Sequence, residues 1–237
     1  MWTQNKIIAI AGYKGSGKDT AAKMLQYLYN YPKVFHNYFW YKIFSKFSTN
    51  GKYKITSFAH PLKRTLAALL NIDIKNFEDR NFKENWYIYF PTLEITDKPD
   101  KEKVISEGKF SRMINNKDLS FLKTHYITIR QLLQVFGTEC MRNIFGDNIW
   151  ILSTLKNNSN IIISDLRFKV ELEAVHQLNG KVILIIRDGC NPGTHISEKE
   201  IEEMYINHQF DAYIENNKSY KDLFNFMHGY YLTQEWI

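Results

Sequence analysis

The chain has 237 residues, 44% hydrophobic and 24% charged, enough for one α/β domain with insertions and a sizeable core, and too apolar for a disordered chain. No stretch reaches the ~20 apolar residues of a membrane span and the first residues lack the layout of a signal peptide, so a cytosolic protein (host cytoplasm if viral) without a membrane partner is expected. Only Cys140 and Cys190 are present, which argues against a disulfide framework or a cysteine-rich zinc site, while a net charge of +6 asks for an anionic partner without separating nucleic acid from nucleotide.

In chain order, Lys6 to Ala11 is a continuous apolar run, as a strand buried on both faces of a parallel sheet requires. A glycine-rich turn leads directly into a helix from Lys18 to about Asn30, with Ala21, Ala22, Met24, Leu25 and Leu28 at helical spacing and Pro32 marking its end. Residues 31–53 are aromatic-rich without a clean period and read as irregular. A short strand is predicted at Lys54 to Phe58 and a helix from His60 to Leu70, with Lys63 and Arg64 in its first turn. The stretch from Asp73 to His125 mixes charge with Pro91, Pro99 and Gly108, and its length marks an insertion or a mobile cover.

Thr128 reads as the cap of a helix whose Leu132, Leu133, Val135 and Phe136 face a core, with Arg130, Gln131 and Gln134 off that stripe. Gly137-Thr138-Glu139 interrupts or re-aims it. Two more buried-strand runs, 160–164 and 181–186, are joined by a helix from about Val170 to Leu178 and form a βαβ unit. A loop with Gly189, Pro192 and Gly193 leads to a helix predicted to be capped by Ser197 with Glu200 at the capping-box position. A strand near Asp211 to Ile214 and an amphipathic helix close the chain. Strands alternating with helices predict an α/β fold: a parallel sheet with helices on both faces and ligands at the carboxyl ends of its strands.

The strongest chemical signal is Gly12-Tyr13-Lys14-Gly15-Ser16-Gly17-Lys18-Asp19-Thr20, which fits G-x-x-x-x-G-K between a strand and a helix. Glycines let successive N–H groups approach phosphate oxygens, the helix N-terminus adds partial positive charge, and Lys18 reaches the β and γ phosphates of a nucleotide. Asp19 stands where a hydroxyl usually ligates Mg²⁺, so Asp19 is expected to hold the ion or its waters, with Thr20 as the alternative. Ser164-Asp165-Leu166-Arg167 puts a carboxylate and a guanidinium at the carboxyl edge of the sheet. Asp165 is expected at the metal, the bland alternative being a helix cap. Lys63, Arg64, Arg80, Lys83, Arg130, Arg142 and Arg187 are further cations on segments flanking the loop, where phosphoryl transfer needs them.

With these residues in view, the chain resembles the phage-type deoxynucleoside monophosphate kinases, within the nucleoside monophosphate kinase-like P-loop family. The patches that carry the resemblance are the loop from Gly12 to Thr20, Ser57 to Lys63, Phe77 to Arg80 with Lys83-Glu84, Thr128 to Gln134, Phe136 to Glu139 with Arg142, Ser164 to Phe168 with Glu171, and His195 to Glu198. The chain departs from the pattern at His60, where an Asp is common. The resemblance implies a single kinase domain over 1–237 with a five-stranded parallel sheet, an inserted acceptor-side segment at about 71–127 and a lid at about 187–200. It implies ATP and Mg²⁺ as cofactors and a deoxynucleoside monophosphate as acceptor, with no nucleic acid partner and a homodimer possible. Arg130 and Gln134 would hold the acceptor, with Lys63, Arg64, Arg80, Lys83, Thr138, Arg142 and Arg167 also on the substrate, and Asn216 would lie beside the adenine. Lys18, Arg130, Asp165, Arg167 and Arg187 would carry the transfer.

Animal-type phosphomevalonate kinases share the Lys-Asp loop and the His-x-Ser-Glu segment, so a non-nucleotide acceptor is the nearest alternative. A nucleic-acid-dependent P-loop ATPase is the rival from another class, prompted by the high pI and the Lys-aromatic stretch from Tyr38 to Tyr53.

Overall fold

In the computed structural model, which describes residues 6–46, 51–156, 160–190 and 196–235, the chain forms two compact units, Met1–Phe58 with Thr154–Ile237, and Ala59–Ser153. The chain starts in the first unit. β1 (Ile7–Ala11) is buried at all five residues, as its unbroken apolar run demands, and α1 (Lys18–Asn30) buries the predicted stripe of Ala21, Ala22, Met24, Leu25 and Leu28. The next segment is not irregular. A 3₁₀ turn at Lys33–Phe35 is followed by α2 (Tyr38–Phe44), capped by the Asn37 side chain, which accepts a hydrogen bond from the Trp40 amide. A short helix with aromatic residues on all sides has no apolar stripe to read, and tertiary packing fixes it. The Tyr41 ring lies 5.3 Å from that of Tyr27 and 5.2 Å from that of Phe224, which makes these aromatics core rather than a stacking surface for bases. β2 (Lys54–Thr56) is shorter than the predicted strand.

The second unit opens with α3 (His60–Leu70), where Pro61 takes the first turn and needs no intrahelical N–H partner. α4 (Arg80–Asn85) is capped by Asp79. β3 (Tyr87–Tyr89) and β4 (Glu94–Thr96) follow, then α5 (Glu107–Asn115), β5 (Ile127–Thr128) and α6 (Ile129–Gln134). A π-helical stretch, Val135–Arg142, continues α6 into α7 (Asn143–Phe145), and α8 (Ile149–Leu155) comes next. The three strands form an antiparallel sheet of order β4-β3-β5. Phe77, Phe110, Phe121, Leu66, Ile88 and Ile127 are fully buried in this unit's own core. The stretch at 71–127 therefore belongs to a larger folded unit, whose α3 and α6 close the same core as the inserted residues.

Returning to the first unit, β6 (Ile161–Leu166), α9 (Lys169–Gln177), β7 (Lys181–Ile186), α10 (Ile196–Ile206), β8 (Ala212–Glu215) and α11 (Tyr220–Glu235) complete the alternation. The five strands are all parallel in the order β2-β6-β1-β7-β8. Ile8 and Ile10 of β1 join the core formed with α1 and α11, and strand alternation turns Ile7 and Ala9 to the opposite face. The chain leaves β1 for β2 and β6 on one side and reaches β7 and β8 on the other, so the switch point, where such sheets bind ligands, lies at the end of β1, at the glycine turn. The loop at 191–195, with His195, lies outside the described residues, as does the Ser197 side chain; the predicted lid and its Ser197 cap fall partly there. Glu200 accepts a hydrogen bond from the Lys169 amide at 2.9 Å, at the start of α9. Among the described residues no helix is long and apolar enough to cross a membrane, and Cys140 and Cys190 are free thiols.

Asp211 ties the start of β8 to its neighbours. Its carboxylate accepts from Lys181 Nζ at 2.9 Å, from the Val182 amide at 2.8 Å and from His176 Nε2 at 2.8 Å. Burial pushes its pKa up, but these three donors outweigh burial and hold it below the usual carboxylate value. A depressed folded pKa gives stability that is present above the unfolded value, about pH 4, and is lost as pH falls through the folded one. Asp211→Asn is expected to cost about 2 kcal/mol at pH 7 and to flatten the acid limb of stability below about pH 4. Urea melts of both proteins from pH 3 to pH 7 check this, and parallel acid limbs would contradict it.

Candidate phosphate-binding and acceptor sites

The turn after β1 is built from close backbone approaches. A Cβ on Gly12 would lie 2.5 Å from Ser16 Oγ and 2.8 Å from the Ile185 carbonyl oxygen, and one on Gly17, which has φ +94°, would strike the Asn216 side chain. No residue but glycine fits either position. Asn216 closes the turn from the β8 side: its Nδ2 donates to the Ser16 carbonyl at 2.8 Å and its amide to the Ile186 carbonyl at 2.7 Å. Asn217 Oδ1 accepts from the Asp188 amide at 2.8 Å, so the loop after β8 also holds the segment after β7. Arg187 reaches the turn through Nη1, 3.4 Å from the Gly15 carbonyl. Lys14 and Asp19 are exposed and Thr20 is half-buried at the start of α1.

Lys18 is only 9% exposed. Burial lowers its pKa; Asp19 opposes the shift, Arg167 adds to it, and Asp165 and Glu198 oppose it. A partly desolvated ammonium is stabilised by any anion that shares its site. Ser16 is fully buried and its Oγ has no hydrogen-bond partner among the described residues. A largely buried cation, an orphaned hydroxyl and a helix N-terminus lie together, a combination that can cradle a phosphate.

β6 runs on through Asp165, two residues past its predicted end. Asp165 Oδ1 accepts from the Phe58 amide at 2.8 Å, so it fastens the end of β2 as well as facing Lys18 electrostatically. The Arg167 and Phe168 amides both donate to Glu171, at 2.8 and 3.1 Å. Glu171, 3% exposed, thus orients the turn that carries Arg167. Glu171 and Asn217 are supports that the motif reading did not assign; the first was legible as an acid three residues into a helix, and the second had no local signal. Among the described residues no group of three or more His, Cys, Asp or Glu is placed to hold a metal ion. Mg²⁺ bound by one or two carboxylates plus substrate phosphates does not need one.

The second unit gathers cations of its own. Arg130 donates through Nε, at 2.9 Å, and Nη2, at 2.6 Å, to the same Glu84 oxygen, and Lys63 pairs with Glu78 at 2.8 Å. Burial lowers the pKa of Lys83, and Lys63 and Arg130 push the same way, so the three cations share one neighbourhood. The Arg130–Glu84 pair is half-exposed and is worth about 0–1 kcal/mol, so it aims the guanidinium without withholding it from a ligand. Arg64 instead lines a shallow groove with His60, Asn71 and Asp73, and Arg80 stands at the start of α4. Thr128 caps α6 in a reciprocal box with Gln131. Gln131 is therefore buried, contrary to the expectation that it lies off the core stripe, and its amide donates to Glu107 at 2.9 Å. Gln134 and Thr138 are exposed and Arg142 is half-buried.

Gly12→Ala is expected to destabilise the protein by about 2–4 kcal/mol and to weaken binding of a fluorescent ATP analogue at least about 100-fold. Thermal melts and nucleotide titration check this; tight binding by a stable variant would show that the close approach to Ile185 is dispensable.

A family model described as deoxynucleotide monophosphate kinase matches residues 6–227. The chain is 29% identical over 115 residues, 41% of its length, to a protein of Acanthamoeba polyphaga mimivirus that carries the inferred name deoxynucleotide monophosphate kinase, and it spans 58% of that relative. Dephospho-CoA kinase from Campylobacter jejuni is similar over 95% of each chain, at 15% identity and a TM-score of 0.39. With the family match running from Lys6, just before β1, to the middle of α11, the chain belongs to the deoxynucleotide monophosphate kinase family.

Proposed function

We propose that the protein transfers the γ-phosphoryl group of ATP to a deoxynucleoside monophosphate, giving a diphosphate. The observation that carries this reading is Lys18: a lysine 9% exposed, at the N-terminus of a helix, beside a turn that only glycine can make. The family match supports the choice of acceptor.

On this reading an oxygen of the acceptor phosphate attacks the γ-phosphorus in line and ADP leaves, so the protein's task is positioning and charge neutralisation. Lys18 and the amides at the N-terminus of α1 hold the donor phosphates. Arg167 and Arg187 offset charge that develops on the donor side, and Asn216 fixes the turn beside the adenine. Arg130, with Lys63 and Lys83, takes the acceptor phosphate, and Gln134 approaches the base with donor and acceptor groups on one amide. Arg64, Arg80, Thr138 and Arg142 complete the proposed acceptor side. Asp19 and Asp165 are the residues proposed to hold Mg²⁺ or its waters, and the ion would neutralise the β and γ oxygens. The cytoplasm is the proposed site of action, and neither membrane nor nucleic acid has a part in the scheme.

Lys18→Ala is expected to lower kcat by at least about 10²–10³-fold, because it removes the cation nearest the transferred group. Arg130→Ala is expected to raise KM for the monophosphate about tenfold or more while KM for ATP stays within twofold. Steady-state kinetics with both substrates varied check this; near-normal turnover by a contaminant-free Lys18→Ala preparation would sink the donor-site assignment, and turnover only with single-stranded DNA or with mevalonate 5-phosphate would replace the acceptor.

A further inference from the structure

Arg130, Gln134, Thr138 and Arg142 recur at every fourth residue. In an unbroken α-helix each such step overshoots a full turn by about 40°, so the four side chains would fan over about 120° of arc. The helix is not unbroken. Val135–Arg142 is π-helical, and the Asn143 amide closes it on the Thr138 carbonyl, five residues back. At about 4.4 residues per turn, a four-residue step in a π-helix falls short of a full turn by roughly 30°. The α drift up to Gln134 and the opposite drift beyond it cancel, leaving all four residues within about 70°. The burial pattern agrees: Arg130, Gln134 and Thr138 are exposed, Arg142 is half-buried, and Gln131, Leu132, Val135 and Gly137 are buried.

Wide turns of this kind are rare and survive where something compensates them. Here the compensation is specific. Trp150, 5% exposed, donates its indole N–H to the Gly137 carbonyl at 3.0 Å. Gly137 also packs closely: a Cβ there would lie 3.0 Å from Leu62 Cδ2.

We propose that this π-turn is a device for aligning the acceptor: it sets Arg130, Gln134, Thr138 and Arg142 in one line, with the phosphate at the Arg130 end and the base towards Thr138 and Arg142, and Trp150 is the positioning residue that holds it. The proposal rests on the reading that the second unit binds a monophosphate. The polarity follows from α4: Arg130 pairs with Glu84, the neighbour of Lys83 on that helix, and Lys63 and Arg130 both act on the Lys83 ammonium. From Arg130 to Thr138 the line runs on the order of 10 Å, the length of a nucleoside monophosphate from phosphate to base edge. Thr138 and Arg142 then set which base is accepted, whereas Arg130 serves every acceptor alike.

The test is the ratio of kcat/KM among the four deoxynucleoside monophosphates, measured for the unmodified chain and for Trp150→Phe, Thr138→Ala and Arg142→Ala. Trp150→Phe is expected to lower kcat/KM for the preferred monophosphate about tenfold or more and to compress the preference among bases, with KM for ATP within twofold. Arg142→Ala and Thr138→Ala, changed on the outer face of the helix, are expected to shift the same ratio without altering the melting temperature by more than a few degrees. Arg130→Ala should lower kcat/KM for all four acceptors by a common factor. Base preferences unchanged in Arg142→Ala and Thr138→Ala would overturn the proposal, even if Trp150→Phe proves too unstable to assay. Equal losses towards ATP and acceptor in Trp150→Phe would overturn the role given to Trp150. Failure of the unmodified chain to phosphorylate any of the four would instead strike the underlying reading, so the two failures are told apart.

Discussion

Keeping the Lys18 side chain largely buried is the constraint around which the first unit is arranged. A buried cation costs several kcal/mol unless something offsets it, and here the offsets are the carboxylates of Asp19, Asp165 and Glu198, on three different elements. The segments around Lys18 are fixed in turn. Asp165 is fastened to the Phe58 amide, the turn carrying Arg167 to Glu171, and the glycine turn to Asn216. The parallel sheet brings these segments to one edge because β1 lies at its centre and the chain departs from it in both directions. The Lys18 pKa stays lowered overall, so these carboxylates offset its burial only in part; on the proposed function, a triphosphate in the cradle would supply the rest of the compensation.

The second unit solves a different problem with different means. Arg130 is exposed and Lys63 and Lys83 are half-buried; Glu84 takes two nitrogens of Arg130 on one oxygen, and Glu78 takes Lys63. On the proposed function, a weak, exposed pair such as Arg130 with Glu84 suits an acceptor that must enter and leave each turnover. The rigid part lies beneath them, in the Phe77, Phe110 and Phe121 core and in the capping box that starts α6. Precision thus comes from the backbone under the cations, and exchangeability from the side chains.

Several of these features were legible in the order of residues alone, and the reason differs from case to case. The glycine turn was legible because its constraints are local: Gly12, Gly17 and Lys18 are neighbours in sequence and meet within one turn. Ile161 to Ile163 and Val182 to Ile185 were legible as strands because burial on both faces leaves no polar position. α2 was not legible, since Tyr38 to Phe44 is held by Tyr27 and Phe224, far apart in sequence, and carries no period of its own. Gln131 was assigned to the wrong face because its side chain is spent on Thr128 and Glu107, which no helical wheel records. Gly137-Thr138-Glu139 signalled a change of course in the helix, but that the change is a π-turn braced by Trp150 depends on a contact thirteen residues on. Local chemistry could be read directly; supports that come from distant segments could not.

The most direct test of the account is to follow where the γ-phosphorus of ATP goes, by phosphorus NMR, when the protein is mixed with ATP, Mg²⁺ and each deoxynucleoside monophosphate in turn. The account predicts that with at least one of the four the signal reappears as the β-phosphate of a deoxynucleoside diphosphate, in step with ADP and with little free phosphate. ATP that remains intact with all four, or that yields only ADP and inorganic phosphate, would contradict it.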